Sequence, residues 1–377
     1  MKKANRDEIE RARHLHDRAL VYNSRGLHQE ARSPCLKSLS ILRKVLGPGH
    51  PDVANVTNTL AAIYGEQGRY GEAEKLYRKS IKILKKVRGK EIHTLRVQSL
   101  SNAAWIYIIR GQYKQAGQYY HRALALAEHS RGKESIELST VLNGLGVLCK
   151  FTGRFNEAER FYRRALSIAE RTLGRDHPDL AAIHHNLGGL EHSRGRYGRG
   201  EPFARRAVRI REKALGPNHP AVAADVAALA AILDGQGKCR ESKKLYRRAM
   251  AVFRRTYGPC HYEIAVNLNN LAAVNQALGR YGEAERQYRQ ALAIKKKIFG
   301  SQHPDIGLTL NNLALLYRAT GKLEAAKNLN RRALRIFNQA LGPRHPNSVV
   351  CGKNYTRLLE TSSDMAEQDG RPRARRR

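Results

Sequence analysis

Leu46-Gly47-Pro48-Gly49-His50-Pro51-Asp52 returns along the chain as Leu173-Gly174-Arg175-Asp176-His177-Pro178-Asp179, Leu215-Gly216-Pro217-Asn218-His219-Pro220 and Phe299-Gly300-Ser301-Gln302-His303-Pro304-Asp305. Glycine accepts the left-handed conformation that ends a helix, and proline opens the next helix in its first turn, where no amide donor is needed. Each copy is therefore a helix stop followed at once by a helix start. Asp52, Asp179 and Asp305 then stand beside the positive end of the new helix. A second glycine series, Gly26, Gly68, Gly111, Gly153, Gly195, Gly237, Gly279 and Gly321, keeps a step of 42 residues, with a single step of 43. The chain is a repeat array, and its 377 residues say nothing about domain count.

Within the unit from His50 to Val87, Leu60, Ala61 and Tyr64 follow Thr57 at spacings of three, four and seven, one stripe of a helix. Gly68 interrupts it. Tyr70, Ala73, Tyr77, Ser80, Ile81 and Ile83 form the stripe of a second helix. The same places recur as Tyr113, Ala116, Tyr120, Ala123, Leu124 and Leu126, and as Phe155, Ala158, Tyr162, Ala165, Leu166 and Ile168. Each pair leaves an apolar face that only the next pair can cover, so stability is shared between neighbours.

The order Leu60, Ala61, Tyr64, Gly68, Tyr70, Ala73, Tyr77 resembles the tetratricopeptide repeat, and the 42-residue step with Leu-Gly-x-x-His-Pro-Asp resembles its kinesin light chain subtype. The resemblance implies an all-α, right-handed superhelical solenoid whose first helices line a concave groove and whose second helices face outward. We expect the solenoid over residues 1–361: eight helix pairs, then a capping helix from about Pro346 to Glu360. A basic tail, 362–377, is expected to be disordered. Kinesin light chains carry a long heptad segment before the repeats, whereas here the first repeat begins almost at once, so a motor-subunit role is not expected. Two pairs depart from the pattern. Gly200, Pro202 and Ala204 in the fifth predict loose packing, and Pro34 with Cys35 in the first predicts a bent or delayed second helix.

The charge balance is 69 Lys and Arg against 33 Asp and Glu, a net +36, which favours anionic partners without choosing among them. Five cysteines make no CxxC pair and read as buried free thiols. With no apolar leader at the N-terminus and no run of roughly 20 apolar residues, the expected location is intracellular, cytoplasmic, without membrane insertion.

His50, His93, His177, His219, His261, His303 and His345 recur once per repeat. Stacked helices hold equivalent atoms about 8 to 10 Å apart, too far to share a zinc ion, so the ladder reads as histidine closing the loop before proline. No metal or cofactor is expected. Walker, HExxH, GxSxG and dinucleotide motifs are lacking, and the chain reads as non-enzymatic.

Asn58, Asn102, Asn143, Asn186, Asn270 and Asn312 fall beside the core leucines of the first helices, which by the resemblance points them into the groove. Amides there can hold a peptide backbone, or else bridge neighbouring helices. Trp105 with Ile108 and Ile109, and Phe151 in the next repeat, form a candidate apolar anchor, and Lys150 a candidate cation. Ala224, Ala227, Ala228 and Ala231 leave room mid-array. These residues make up the expected peptide-binding groove of a scaffold or adaptor, whose partner is a protein or peptide, acidic in part. The alternative is nucleic acid or another polyanion held on outer arginine stripes, Arg163, Arg164, Arg205, Arg206, Arg247, Arg248, Arg331 and Arg332, with the basic tail. Oligomeric state stays open.

Overall fold

A computed structural model describes residues 3–87, 89, 91–131 and 135–369. Among the described residues there are seventeen α-helices and no strand. They divide into two units, one up to His261 and one from Tyr262. In the first unit the first helices of successive pairs are α1 (Lys3–Ser24), α3 (Pro51–Glu66), α5 (Glu91–Ile109), α7 (Ile136–Phe151), α9 (Leu180–Ser193) and α11 (Pro220–Gly235). Their partners are α2 (His28–Leu46), α4 (Tyr70–Lys85), α6 (Tyr113–Arg131), α8 (Phe155–Leu173), α10 (Tyr197–Leu215) and α12 (Cys239–Tyr257). The second unit holds the pairs α13 (Tyr262–Ala277) with α14 (Tyr281–Phe299) and α15 (Pro304–Ala319) with α16 (Leu323–Leu341), then α17 (Pro346–Asp369). Eight pairs and a closing helix are thus present, and each unit is a tetratricopeptide-like helical solenoid.

The linkers behave as their residues dictate. Gly47, Gly174, Gly216 and Gly342 take left-handed φ values of 79–86° and cap the helices before them. His50, His219 and His303 are N-caps: Nδ1 accepts the backbone N–H two residues on, at 3.1, 3.1 and 3.2 Å. His177 and His345 make the same bond at 3.3 and 3.1 Å. Histidine therefore does close the loop before proline, satisfying one of the orphan donors of the helix start.

The stripes bury as patterned. Ala73, Ala116, Ala158 and Ala165 are fully buried, with Tyr77, Tyr120 and Tyr162 filling the space beside them. Around α5 to α10 the core is continuous, running from Val97 and Leu100 through Leu138, Leu142 and Leu145 to Leu187 and Ile210. Successive first helices touch, α1 with α3, α3 with α5, α5 with α7, α7 with α9 and α9 with α11, while among the described residues no second helix touches the next second helix. First helices are therefore on the inner side of the first unit's curve and second helices on the outer side.

Four expectations need correction. The fifth pair does not pack loosely: a Cβ on Gly200 would lie 3.1 Å from the Gly188 carbonyl, so the two small residues let the α9 and α10 backbones come together. Neither proline delays its helix, since α2 and α10 run through Pro34 and Pro202. The closing helix α17 continues to Asp369, and residues 370–377 of the basic tail lie outside the described residues. Cys35, Cys149 and Cys351 are buried, but Cys239 is half-buried and Cys260 exposed, so the reading of five buried thiols holds for three.

Candidate functional site: the inner face of the first helices

The inner asparagines fall on two adjacent positions of the first helix, ten and nine residues before the hairpin glycine. One position of a repeat bonds the other position of the next. Asn186 Nδ2 donates to Asn143 Oδ1 at 2.9 Å, His16 bonds Thr59 at 2.8 Å, and in the second unit Asn354 donates to Asn311 at 3.2 Å. All three bonds span 43 residues. The ladder thus ties neighbouring first helices at Asn143 and Asn186. Asn102 is occupied too, bonding the Tyr77 hydroxyl of α4. Asn58 is buried with its Oδ1 unbonded, Asn270 accepts a long bond of 3.4 Å from Asn269, and Asn312 is half-buried without a hydrogen-bond partner among the described residues.

Where α11 presents Ala228 in place of an amide, the ladder changes chemistry. His185 of α9 turns to Asp225 of α11, with Nδ1 2.8 Å from Oδ1. An ionised carboxylate only accepts, so Nδ1 is the donor. Asp225 is fully buried, and its other oxygen lies 3.3 Å from Nε of Arg211 on α10. His185 remains 32 % exposed. Three helices meet at one buried carboxylate, and breaking such a group costs about 3–5 kcal/mol because the remaining charge is stranded. Single-repeat reading misses this cluster. The available signal was Asp225, an acid at a position where other first helices carry Val56, Ile183, Asn267 or Thr309.

Trp105, on α5, is the chain's single tryptophan and is 43 % exposed, while Ala103, Ala104, Ile106, Tyr107 and Ile108 around it are buried. Lys150, near the end of α7, leans across to α9: a Cβ on Gly189 would be 3.3 Å from its Nζ. Its amine lies 5.5 Å from the Phe151 ring centroid and has no ion pair among the described residues. Burial brings its pKa down to about 8. His192 of α9 is lowered first by burial and then by Lys150, and it bonds the Ala231 backbone. Ala224, Ala228 and Ala231 are half-buried and Ala227 is buried, which keeps the inner side of α11 low. Ile109 and Phe151 are placed differently from Trp105: each ends its helix at the hairpin turn, and Phe151 stacks on Tyr113 at 6.1 Å.

A family model for the tetratricopeptide repeat matches residues 10–86 and, in overlapping segments, 95–367. The chain belongs to the tetratricopeptide repeat family. No curated protein matches it. Among solved structures, BtubC (BKLC) from P. vanneervenii is 28 % identical over 62 % of this chain and 92 % of its own, with a TM-score of 0.44. A putative kinesin light chain from Podosopora anserina is 25 % identical over 55 % of this chain and 98 % of its own, with a TM-score of 0.41. A Rap protein complexed with Competence and Sporulation Factor is 12 % identical, covers 95 % of this chain and 99 % of its own, and has a TM-score of 0.60, a likeness of fold. The 42-residue step and the Leu-Gly-x-x-His-Pro linker place this tetratricopeptide array in the kinesin light chain-like type.

The outer face of the tetratricopeptide array is less available than its arginine count implies. Arg163 pairs with Glu159 at 2.8 Å, Arg164 with Glu128 at 3.8 Å, Arg205 with Glu201 at 2.7 Å, and Arg206 and Arg248 pair with Asp176 and Glu212. Arg331 bonds the Tyr355 hydroxyl at 3.3 Å, leaving Arg247 and Arg332 without ion pairs among the described residues. Stripes meant to follow a phosphate backbone would present unpaired cations. The described residues contain no His, Cys, Asp or Glu group that could hold a metal ion, and no described helix is long and apolar enough to cross a membrane.

Proposed function

We propose that the chain is a protein-interaction scaffold that holds an extended segment of a partner protein on the inner face of its first helices, anchored at Trp105 and Lys150. The observation that carries this reading is the exposure of the single tryptophan on that face. A large apolar ring left 43 % exposed among buried neighbours matches the anchors that dominate protein interfaces. Lys150 adds a preference for an acidic residue in the segment, since a half-buried amine without a counter-ion gains most from a carboxylate brought by the partner. Asn270 and Asn312, in the second unit, remain candidates for backbone contacts there. A Rap protein of the same fold has been solved complexed with Competence and Sporulation Factor, an instance of such an array holding another molecule.

The test is selection from a phage-displayed library of random linear peptides, followed by anisotropy titration of the selected peptides. Trp105→Ala should weaken binding by tenfold or more, and Lys150→Ala should weaken acidic peptides selectively. Arg163→Gln, Arg164→Gln, Arg247→Gln and Arg248→Gln together should leave binding within about twofold. The reverse pattern would show the outer face to be the binding surface.

A further inference from the structure

Two hydrogen bonds in the first unit join residues 195 positions apart. His219 Nε2 meets the Ser24 carbonyl at 2.9 Å, and His261 Nε2 meets the Glu66 carbonyl at 3.0 Å. Ser24 and Glu66 end α1 and α3 at the same place in successive repeats, and His219 and His261 are likewise one repeat apart. This is one contact made twice: a hairpin turn of an early pair seated on a His linker several pairs later.

Its chemistry fixes the state of the imidazole. The Ala221 N–H donates to Nδ1 of His219 at 3.1 Å, so in the neutral ring Nε2 carries the proton and donates it to Ser24. Both nitrogens are in use, and a proton added at Nδ1 would face a donor. The seam is narrow and close-fitting. A Cβ on Gly26, whose φ is +76°, would lie 2.8 Å from Pro220, and one on Gly68 would lie 3.6 Å from the His261 ring. Tyr257 stacks on His261 at 3.9 Å and on His28 of α2 at 5.7 Å.

The charged groups facing these rings come from every element at the seam. They are Glu30 beside His28 on α2, the exposed Glu66 on α3 with its carboxyl bonded by the Tyr257 hydroxyl, Arg211 on α10 near His219, and Tyr257 on α12. His219 and His28 oppose each other's charge, as do His28 and His261. Only Glu30 favours a cation at His28. Burial lowers all three histidines, His28 and His261 to about 4.

We propose that these contacts form a latch that closes the first unit by holding its first two hairpins against the linkers at His219 and His261, and that protonation of the three imidazoles releases it. The inference is independent of what the inner face binds. Closed, the latch restricts entry to the inner side of the first unit; open, it frees α1 to α4 to swing away as a body while the pair-to-pair cores stay packed.

The experiment uses the full chain with Cys239→Ala and Cys260→Ser, and with Arg25→Cys and Asn218→Cys carrying spin labels whose separation is measured by double electron–electron resonance. Far-UV circular dichroism is recorded in parallel. Near neutral pH a single short distance is expected; as pH falls from about 6.5 towards about 4 a longer component should grow in while helicity is kept. His219→Asn with His261→Asn preserves an N-capping side chain and removes the imidazole, so it should show the long distance already at neutral pH and change little on acidification. The proposal is overturned if the doubly substituted chain stays closed at neutral pH, or if the native histidines hold the short distance at both ends of the range with helicity intact.

Discussion

An inner-face amide can meet a partner or a neighbouring repeat, and at Asn143 and Asn186 it meets the neighbour. Asn186→Ala should therefore cost stability, about 1 kcal/mol for the lost bond, whereas Asn312→Ala, which removes no bond, should stay within about 0.5 kcal/mol. Denaturant midpoints of the two variants decide this. Asp225 is the more consequential residue. Asp225→Ala strands Arg211 in a half-buried site and releases His185, so a loss of about 3 kcal/mol or more is expected, read as a lowered midpoint and faster hydrogen exchange in α9 to α11. In the second unit Lys295 is the counterpart: buried, with Nζ 3.1 Å from Thr309 Oγ1 and 3.7 Å from Asp305, so Lys295→Met should destabilise α14 and α15 by a similar amount.

At the scale of helices and linkers, the His-Pro linker both starts a helix and, in the first unit, grips a distant turn. His28 and His261 have native pKa values near 4, below the unfolded value of 6.5, so the native state binds fewer protons between those limits. Their stabilising effect is present above about pH 6.5 and is lost as pH falls towards 4. A tenfold change in proton affinity is about 1.4 kcal/mol, so keeping either ring neutral down that range costs the closed form on the order of 3 kcal/mol. Amide exchange in α1 to α4, corrected for intrinsic rates, should accelerate below about pH 6 relative to α7 and α8; uniform protection across these helices would contradict this. The helix pairs themselves were legible from the sequence, because periodicity and Gly-x-x-His-Pro punctuation are local. The seam was not, because Ser24 and His219 are brought together by small rotations accumulated over several pairs, which no single linker encodes. For the same reason Gly200 reads as a defect in the sequence, although in the fold its backbone packs against that of Gly188. The inner face was only half legible: the stripe set Asn143 and Asn186 beside the core leucines and the resemblance pointed them inward, but the choice between bridging and binding depends on what the next repeat presents.

For the whole molecule, a net charge of +36 invites a polyanion, yet the ion pairs along the second helices leave few arginines of the stripes unpaired. Binding of a single-stranded oligonucleotide should consequently be weak, should fall steeply between low and physiological salt, and should not be displaced by an inner-face peptide. A peptide seated at Trp105 should lose far less affinity over the same salt range, apart from the contribution of Lys150. The most direct measurement is the fluorescence of Trp105 itself, the only tryptophan, while a selected peptide without tryptophan is titrated and its binding is followed separately by anisotropy. The scaffold account predicts a blue-shifted emission and protection from acrylamide quenching that saturate together with the anisotropy. Saturating anisotropy with unchanged emission and quenching would place the peptide elsewhere and contradict it.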